Sequence, residues 1–330
     1  PQPYLLQGCQ RLPKLEREQA GKYGSYGCDV PVETLNLMGE YINANLEPDV
    51  VFWTGDSPPH DQWQYDLEYV QKYQTALTDF LKANLSSFSI YPLEGTMISD
   101  NQLLDFKQPD PILAFNLELW DQYLDADAKK VYAEAGYYTQ KLKLSDGTVY
   151  NNVNIIAVNT SLVTSSTTIF GATETIQARN FSGSKISSEK SKLMVKSPSS
   201  YPTFLLVSIR AFTSGQSGTG DQRQIPAHHK VLIFGHVHAE NLNIVRSFGD
   251  SKPIGVHLWA GSVSTYGAVN PSFRMFEVDA ETMLITKAHT YVFNISDENP
   301  QWRYDHELSE RYNMTDLSPQ SFDLLSDRIL

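Results

Sequence analysis

The sequence is short of long apolar runs, of basic residues and of cysteine, and each shortage excludes something. No apolar stretch approaches the roughly 20 residues needed to cross a bilayer, so no transmembrane segment is expected. Lysine and arginine number 26 against 38 aspartates and glutamates, a formal charge of −12 over 330 residues. That balance argues against a nucleic-acid partner, whose phosphates need a basic face, and against electrostatic docking on anionic membranes. The glycine-rich run from Gly215 to Gly220 is not followed by Gly-Lys-Ser/Thr, so it is not a nucleotide P-loop. No Gly-x-Ser-x-Gly nucleophile elbow occurs, and Gly261-Ser262-Val263-Ser264 does not meet that pattern. There is no internal repeat and no clear inter-domain linker. No signal peptide stands at Pro1, although a mature chain would have lost one.

What is present describes a folded chain. Hydrophobic residues make up 41% and aromatics 12%, too much apolar content for disorder. A chain of this length can bury one large α/β core or two small ones. The two cysteines, Cys9 and Cys28, lie close together, and five N-x-S/T sequons begin at Asn84, Asn159, Asn180, Asn294 and Asn313. Together they suggest a disulfide and a secreted, lysosomal or cell-surface location. A bridge over a loop of that size would stabilise by roughly 3 kcal/mol in the chain-entropy model; the other reading is two unpaired thiols.

Strand and helix patterns alternate, which points to an α/β layered fold. From Asp29, as a cap, Val32, Leu35, Met38, Ile42 and Leu46 recur at helical spacing, with Pro31 suited to a first turn. Val50 to Trp53 reads as a short strand ending at Thr54-Gly55-Asp56. A long helix is expected from Gln62 to Ala83, a strand from Phe88 to Tyr91, and a helix from Leu117 to Ala135. Further strands are expected at residues 137–144, 153–158, 204–209, 230–234, 253–259, 273–278 and 283–292. Two short helices around Pro319 close the chain. Thr160 to Ser200 turns abruptly to Ser, Thr and Lys, as in an insertion.

Two strand ends carry chemistry. Gly55-Asp56-Ser-Pro-Pro-His60-Asp61 follows the first strand. A glycine permits a sharp turn there and presents a carboxylate at the sheet's carboxyl edge, where open α/β sheets build sites. Gly235-His236-Val237-His238 follows a later strand, and its two imidazoles can reach one small volume. Carboxylate and imidazole together suit zinc, iron or manganese. Each has a plainer reading: Gly-Asp is a common turn, and a lone histidine is more often structural. His228 and His229 read as a solvated turn, and His257, His289 and His306 as satisfied structural residues.

Val51-Phe-Trp-Thr-Gly-Asp-Ser-Pro-Pro-His-Asp-Gln-Trp63 resembles the strand-Gly-Asp-x-x-x-His-Asp-x-Trp element of the acid-sphingomyelinase-like phosphodiesterases, a branch of the calcineurin-like metallophosphoesterases. Phe234-Gly-His-Val-His238 resembles their Gly-His-x-His element. Ser264 to Arg274 resembles their Asn-Pro-aromatic-Arg segment. Tyr23 to Pro31, with Cys28-Asp29, resembles the stretch after their first metal motif, and the tail from Tyr291 to Leu330 is similar to theirs as well. The resemblance covers most of the chain except Thr160 to Ser200. It implies an α/β, metallophosphoesterase-type four-layer sandwich, two mixed sheets flanked by helices. That domain would span residues 1–290, with a C-terminal helical extension over 291–330. It also implies phosphodiester or nucleotide hydrolysis at two zinc ions. Asp56 would bridge the metals, His236 and His238 would bind one each, and His60 would be the general acid.

The resemblance also marks departures. The family's Asp-x-His motif would precede Cys9, and the sequence begins after that point, without the first core strand. The Gly-Asn-His-Glu motif falls on Gly95-Thr96-Met97-Ile98, and a later Gly-His motif falls on Ser208-Ile209-Arg210. Thr96, Met97 and Arg210 are poor replacements for ligands. Catalytic zinc usually has three protein ligands plus water, so one zinc or none is expected. The residues therefore imply a phosphodiesterase with an impaired site, acting on a small soluble phosphoester or nucleotide. The alternative is an inactive pseudoenzyme that serves as a structural or binding component for protein partners. No cysteine-rich lipid-extracting module is present, which speaks against taking sphingomyelin directly from a bilayer.

Overall fold

The computed structural model describes residues 21–95, 110–158, 204–209, 230–246, 250–280 and 284–329. Cys9, Thr96, Met97, Asn159, Asn180, Arg210, His228, His229 and the 160–200 insertion lie outside them.

The chain mixes helices with parallel and antiparallel strands, as an α/β fold requires. Helix α1 spans Val32–Asn45 and buries Leu35, Met38 and Ile42 on one face, the face predicted from their spacing. Its N-cap is Pro31, with no side-chain cap bond; Asp29, the expected cap, is used elsewhere. Strand β1, Val50–Trp53, pairs in parallel with β2, Ser89–Pro92, and the two are joined by α2, Leu67–Asn84. That helix starts later than predicted because the Asp66 carboxylate accepts from Tyr69 N–H and sets the first turn there. Residues Gln62–Gln64 form a separate 3-10 turn. The long helix expected from Leu117 is instead two helices, α3, Pro111–Leu119, and α4, Ala126–Ala135. Asp110 and Asp125 cap them through two backbone N–H groups each, and capping competes with continuation.

A six-stranded sheet runs β3-β4-β5-β6-β8-β7. Its members are β3 Tyr138–Lys143, β4 Val149–Val158, β5 Phe204–Ile209, β6 Lys230–Phe234, β7 Asn241–Arg246 and β8 Pro253–Trp259. β6 and β8 are parallel neighbours, while the other pairings are antiparallel. A three-stranded antiparallel sheet, β11-β10-β9, is built from β9 Ser272–Val278, β10 Ile285–Phe293 and β11 Trp302–Glu307. Strands β7 and β11 were not read from sequence. Both alternate polar with apolar residues (Asn-Leu-Asn-Ile-Val-Arg and Trp-Arg-Tyr-Asp-His-Glu) and lie at sheet edges. Residue 291 falls inside β10, so the C-terminal stretch starts as strand before α5, Leu308–Arg311, and α6, Pro319–Ile329.

One core cluster joins Tyr91 and Leu93 at the end of β2 to Leu113, Trp120 and Tyr132 on the α3–α4 side and to Tyr138, Val153 and Ile155 of the large sheet. Trp120, Tyr132 and Tyr138 are 0% exposed. A second cluster packs α1 and α2 on Ile90, Tyr291, Phe293 and Trp302. Burial of such side chains stabilises by roughly 1.5–3 kcal/mol each, and these clusters hold β1 and β2 in place. Cys28 is buried and disulfide-bonded.

Candidate active site

The two motifs meet although β1 and β6 belong to different sheets. Gly235 passes so close to β1 that an added Cβ would stand 2.8 Å from Thr54 Oγ1. Gly55, at φ 85°, lies against Gly95, and any side chain on Gly95 would overlap the backbone nitrogen and carboxylate of Asp56. Glycine is required at these places by contact, and at Gly55 also by conformation.

Among the described residues, six non-glycine residues have positive φ, and three of them are Asp56 (58°), His236 (78°) and His238 (60°). A left-handed backbone costs an ordinary side chain roughly 1–2 kcal/mol. Such strain gathers where function fixes side-chain direction. Here it turns the three side chains back across the strand ends. His236 Nδ1 stands 3.9 Å from Asp56 Oδ2.

His60 is held from three sides. Its backbone N–H donates to Asp29 Oδ2 at 2.7 Å, and its Nδ1 donates to Asp29 Oδ1 at 2.6 Å. Its ring stacks on Tyr266 with centroids 3.7 Å apart and planes at 17°. Asp29 is 6% exposed and also accepts from Ser264 Oγ at 3.0 Å. With Nδ1 bonded to a carboxylate, the tautomer that carries its proton there is favoured. His238 lies edge-on to His60, centroids 5.0 Å apart. Its Nδ1 is 3.0 Å from the Tyr266 carbonyl oxygen, to which it donates. A bond of this kind fixes the direction of a histidine ring. Burial, and then the neighbouring His60, push the His238 imidazole below its ordinary pKa, while the Tyr266 carbonyl opposes them.

Asp56, His60, His236 and His238 are thus brought to one place. Asp29, Tyr266 and Ser264 were missed as site residues. Asp29 read as a helix cap, and the only signal for it was its place in the Tyr23–Pro31 stretch. Tyr266 and Ser264 lay in the Ser264–Arg274 segment with no role attached. Of the outlying histidines, His289 pairs with Glu277 at 2.8 Å and His306 with Asp305 at 2.6 Å. His257 is 8% exposed, and its Nε2 is buried without a partner among the described residues, which differs from the satisfied residue expected.

No group of three or more His, Cys, Asp or Glu among the described residues is arranged to hold a metal ion. Two donors each about 2.1 Å from one zinc lie within about 4.2 Å of each other, so the Asp56–His236 separation fits one shared cation.

These features define a strand-end site that gathers the Asp56 carboxylate and three imidazoles. No family model matches the sequence. "Sphingomyelin phosphodiesterase B" of Dictyostelium discoideum is 25% identical over 96% of this chain and 52% of its own length. Human "Acid sphingomyelinase-like phosphodiesterase 3b" is 26% identical over 94% of the chain and 72% of its own. Human "Cyclic GMP-AMP phosphodiesterase SMPDL3A" is 23% identical over 91% and 69%. The chain spans about half the length of the sphingomyelin phosphodiesterases it matches. Such similarity along nearly the whole chain, at 23–26% identity, fits a divergent relative of the acid sphingomyelinases and acid sphingomyelinase-like phosphodiesterases.

Proposed function

We propose that this chain carries the hydrolytic site of an acid sphingomyelinase-like phosphodiesterase, cleaving a small phosphoric diester or nucleotide, with a metal complement reduced from two ions to one. The observation that carries the reading is the Asp29–His60 pair, facing His238 and set beside the strained Asp56 and His236. Asp29 holds Nδ1 and stabilises the imidazolium. Nε2 then donates its proton to the leaving-group oxygen as the P–O bond breaks and water supplies the new one. Asp56 and His236 would hold a zinc ion, which when bound neutralises phosphoryl charge and acidifies water.

The same reading extends to the architecture and location. β1–β2 and the six-stranded sheet would be the inner layers of a four-layer sandwich, with residues 1–290 as the phosphoesterase domain and 291–330 as its extension. The paired cysteines and the sequons support passage through the secretory pathway, as a glycoprotein that is secreted or lysosomal. Among the described residues, no helix is long and apolar enough to cross a membrane.

A second reading, an inactive relative that binds protein partners, is favoured by Thr96, Met97 and Arg210 at the ligand positions that the resemblance implies. The deciding experiment is diester hydrolysis with added zinc, comparing wild type, His60→Ala and Asp29→Asn. General acid catalysis is worth roughly 10²–10⁴-fold. His60→Ala should lose that much on a diester with an alkoxide leaving group and far less on bis(p-nitrophenyl) phosphate, whose leaving group needs no proton. Asp29→Asn should show a smaller loss of the same pattern. Wild-type turnover indistinguishable from that of both single variants on both substrates would overturn the hydrolase reading and favour the binding role.

A further inference from the structure

Trp63 is 66% exposed, three residues after His60. The chain holds five tryptophans. Trp120 and Trp302 are buried, Trp53 and Trp259 are partly buried, and Trp63 alone is exposed. A lone exposed apolar side chain needs no explanation when it rides on loose chain; this one does not. Gln64 N–H donates to the Asp61 carbonyl at 2.8 Å, and Gln64 Nε2 to Asp61 Oδ2 at 2.9 Å. Tyr69 Oη donates to the same Asp61 oxygen at 2.7 Å, and Asp61 is 5% exposed. On the other side Tyr65, itself buried, donates to the Pro59 carbonyl. The turn carrying the indole is therefore bonded before and after it, while the indole stays in water. Val237, between His236 and His238, is 44% exposed, so the other motif also presents an apolar surface.

Direction matters. In the reading proposed above, His60 Nε2 protonates the leaving group, so that group occupies the His60 side, where the Trp63 turn begins. We propose that Trp63 is a specificity-determining platform on which a planar ring of the leaving group, a nucleobase or an aryl group, stacks. This rests on the phosphodiester reading and names its substrate class. An acyl chain or bilayer is the less favoured occupant. Of the other exposed large apolar side chains among the described residues, only Tyr26, at 36%, lies in a site stretch; Val149, Ile254, Val278 and Tyr304 belong to β4, β8, β9 and β11, Leu284 precedes β10, Tyr312 follows α5, and Leu324 and Ile329 belong to α6. A membrane-facing surface needs a contiguous patch, whereas one rigid indole suffices for a ring.

The test uses the intact protein with added zinc and needs no turnover. Adenosine 5′-monophosphate, ribose 5-phosphate and inorganic phosphate are titrated by calorimetry and by quenching of the exposed tryptophan. Expected is tighter binding of the nucleotide than of ribose 5-phosphate by roughly tenfold or more, the scale of base–aromatic stacking. Trp63→Ala should abolish that margin and leave phosphate affinity unchanged, and Trp63→Phe should restore most of it. Phosphate esters that bind with an unchanged nucleotide margin in Trp63→Ala would overturn the platform and leave the phosphodiester reading intact. Failure of all three compounds to bind wild type would overturn both. A blue shift of the exposed tryptophan with phosphatidylcholine vesicles, and no response to the nucleotide, would assign the indole to a lipid surface and overturn the proposal.

Discussion

Replacing Glu94 by glutamine should change how stability depends on pH, by an amount the structure sets. Glu94 follows β2 and is 0% exposed. Gln74 Nε2 donates to its Oε1 at 2.7 Å, Tyr132 Oη donates to Oε2 at 2.8 Å, and Asn116 Nδ2 also donates to Oε2. Gln74 and Asn116 are themselves buried, and Gln74 Oε1 accepts from Ser57 Oγ at 2.6 Å, beside Asp56. Burial raises the carboxyl from its ordinary 4.5 to about 7; the three donors pull it down without prevailing, and Asp110 adds a little to the rise. The folded protein therefore keeps this proton where the unfolded chain has released it. Where the native state binds more protons, stability falls as pH rises. The interval from 4.5 to about 7 corresponds to a loss of about 3 kcal/mol. Below pH 4.5 both states are protonated and the stabilisation is fully present; above about 7 it is gone. Urea unfolding of wild type and Glu94→Gln should be followed from pH 4.5 to 7.5. Wild type should lose about 3 kcal/mol relative to the variant over that range, with unchanged slopes of the transitions. A flat difference, or one in which wild type gains with pH as a paired ionised carboxylate would, refutes the reasoning.

The opposite sign is expected at His257, which burial pushes down to about 4 from 6.5. Its contribution is lost as pH falls from 6.5 towards 4, by up to about 3 kcal/mol. His257→Phe, placed between the rings of Phe234 and Trp259, should remove that acid-side loss in the same urea series. The sequons should also separate. Asn313 is exposed in a left-handed turn. Asn84 donates to Phe80 O at 3.0 Å and packs so closely on Gly39 that an added Cβ would stand 2.7 Å from its own. Mass mapping after enzymatic deglycosylation of protein expressed through a secretory host should mark Asn313 and not Asn84; a marked Asn84 would mean that this helix contact opens before the chain folds.

How much could be read from the residues differs by element. Apolar periodicity located α1 and the buried strands, since a face that must leave water repeats at the period of its backbone. It failed where the outcome turned on a local competition. Asp66, Asp110 and Asp125 each set a helix start through cap bonds that no periodicity records. β7 and β11 lie on sheet edges, where half the residues may stay polar without cost, and were passed over.

The motifs around Asp56 and His236, by their resemblance to a known family, indicated that a phosphodiesterase-like site was to be sought at two strand ends, and the charge argued against a nucleic-acid partner. Only the tertiary structure decided which side chains serve it. Asp29 and His60 are 31 residues apart in the chain and Ser264 a further 204 beyond His60, yet they share one carboxylate. Contacts at such separation depend on how β1, β6 and the Ser264–Tyr266 loop are packed together, which hydrophobic burial and close glycine contacts arrange and which no local pattern contains. The proton on Glu94 has the same origin: a glutamate after a strand is ordinary in sequence, and only complete burial, which outweighs the three donors, raises its carboxyl to about 7.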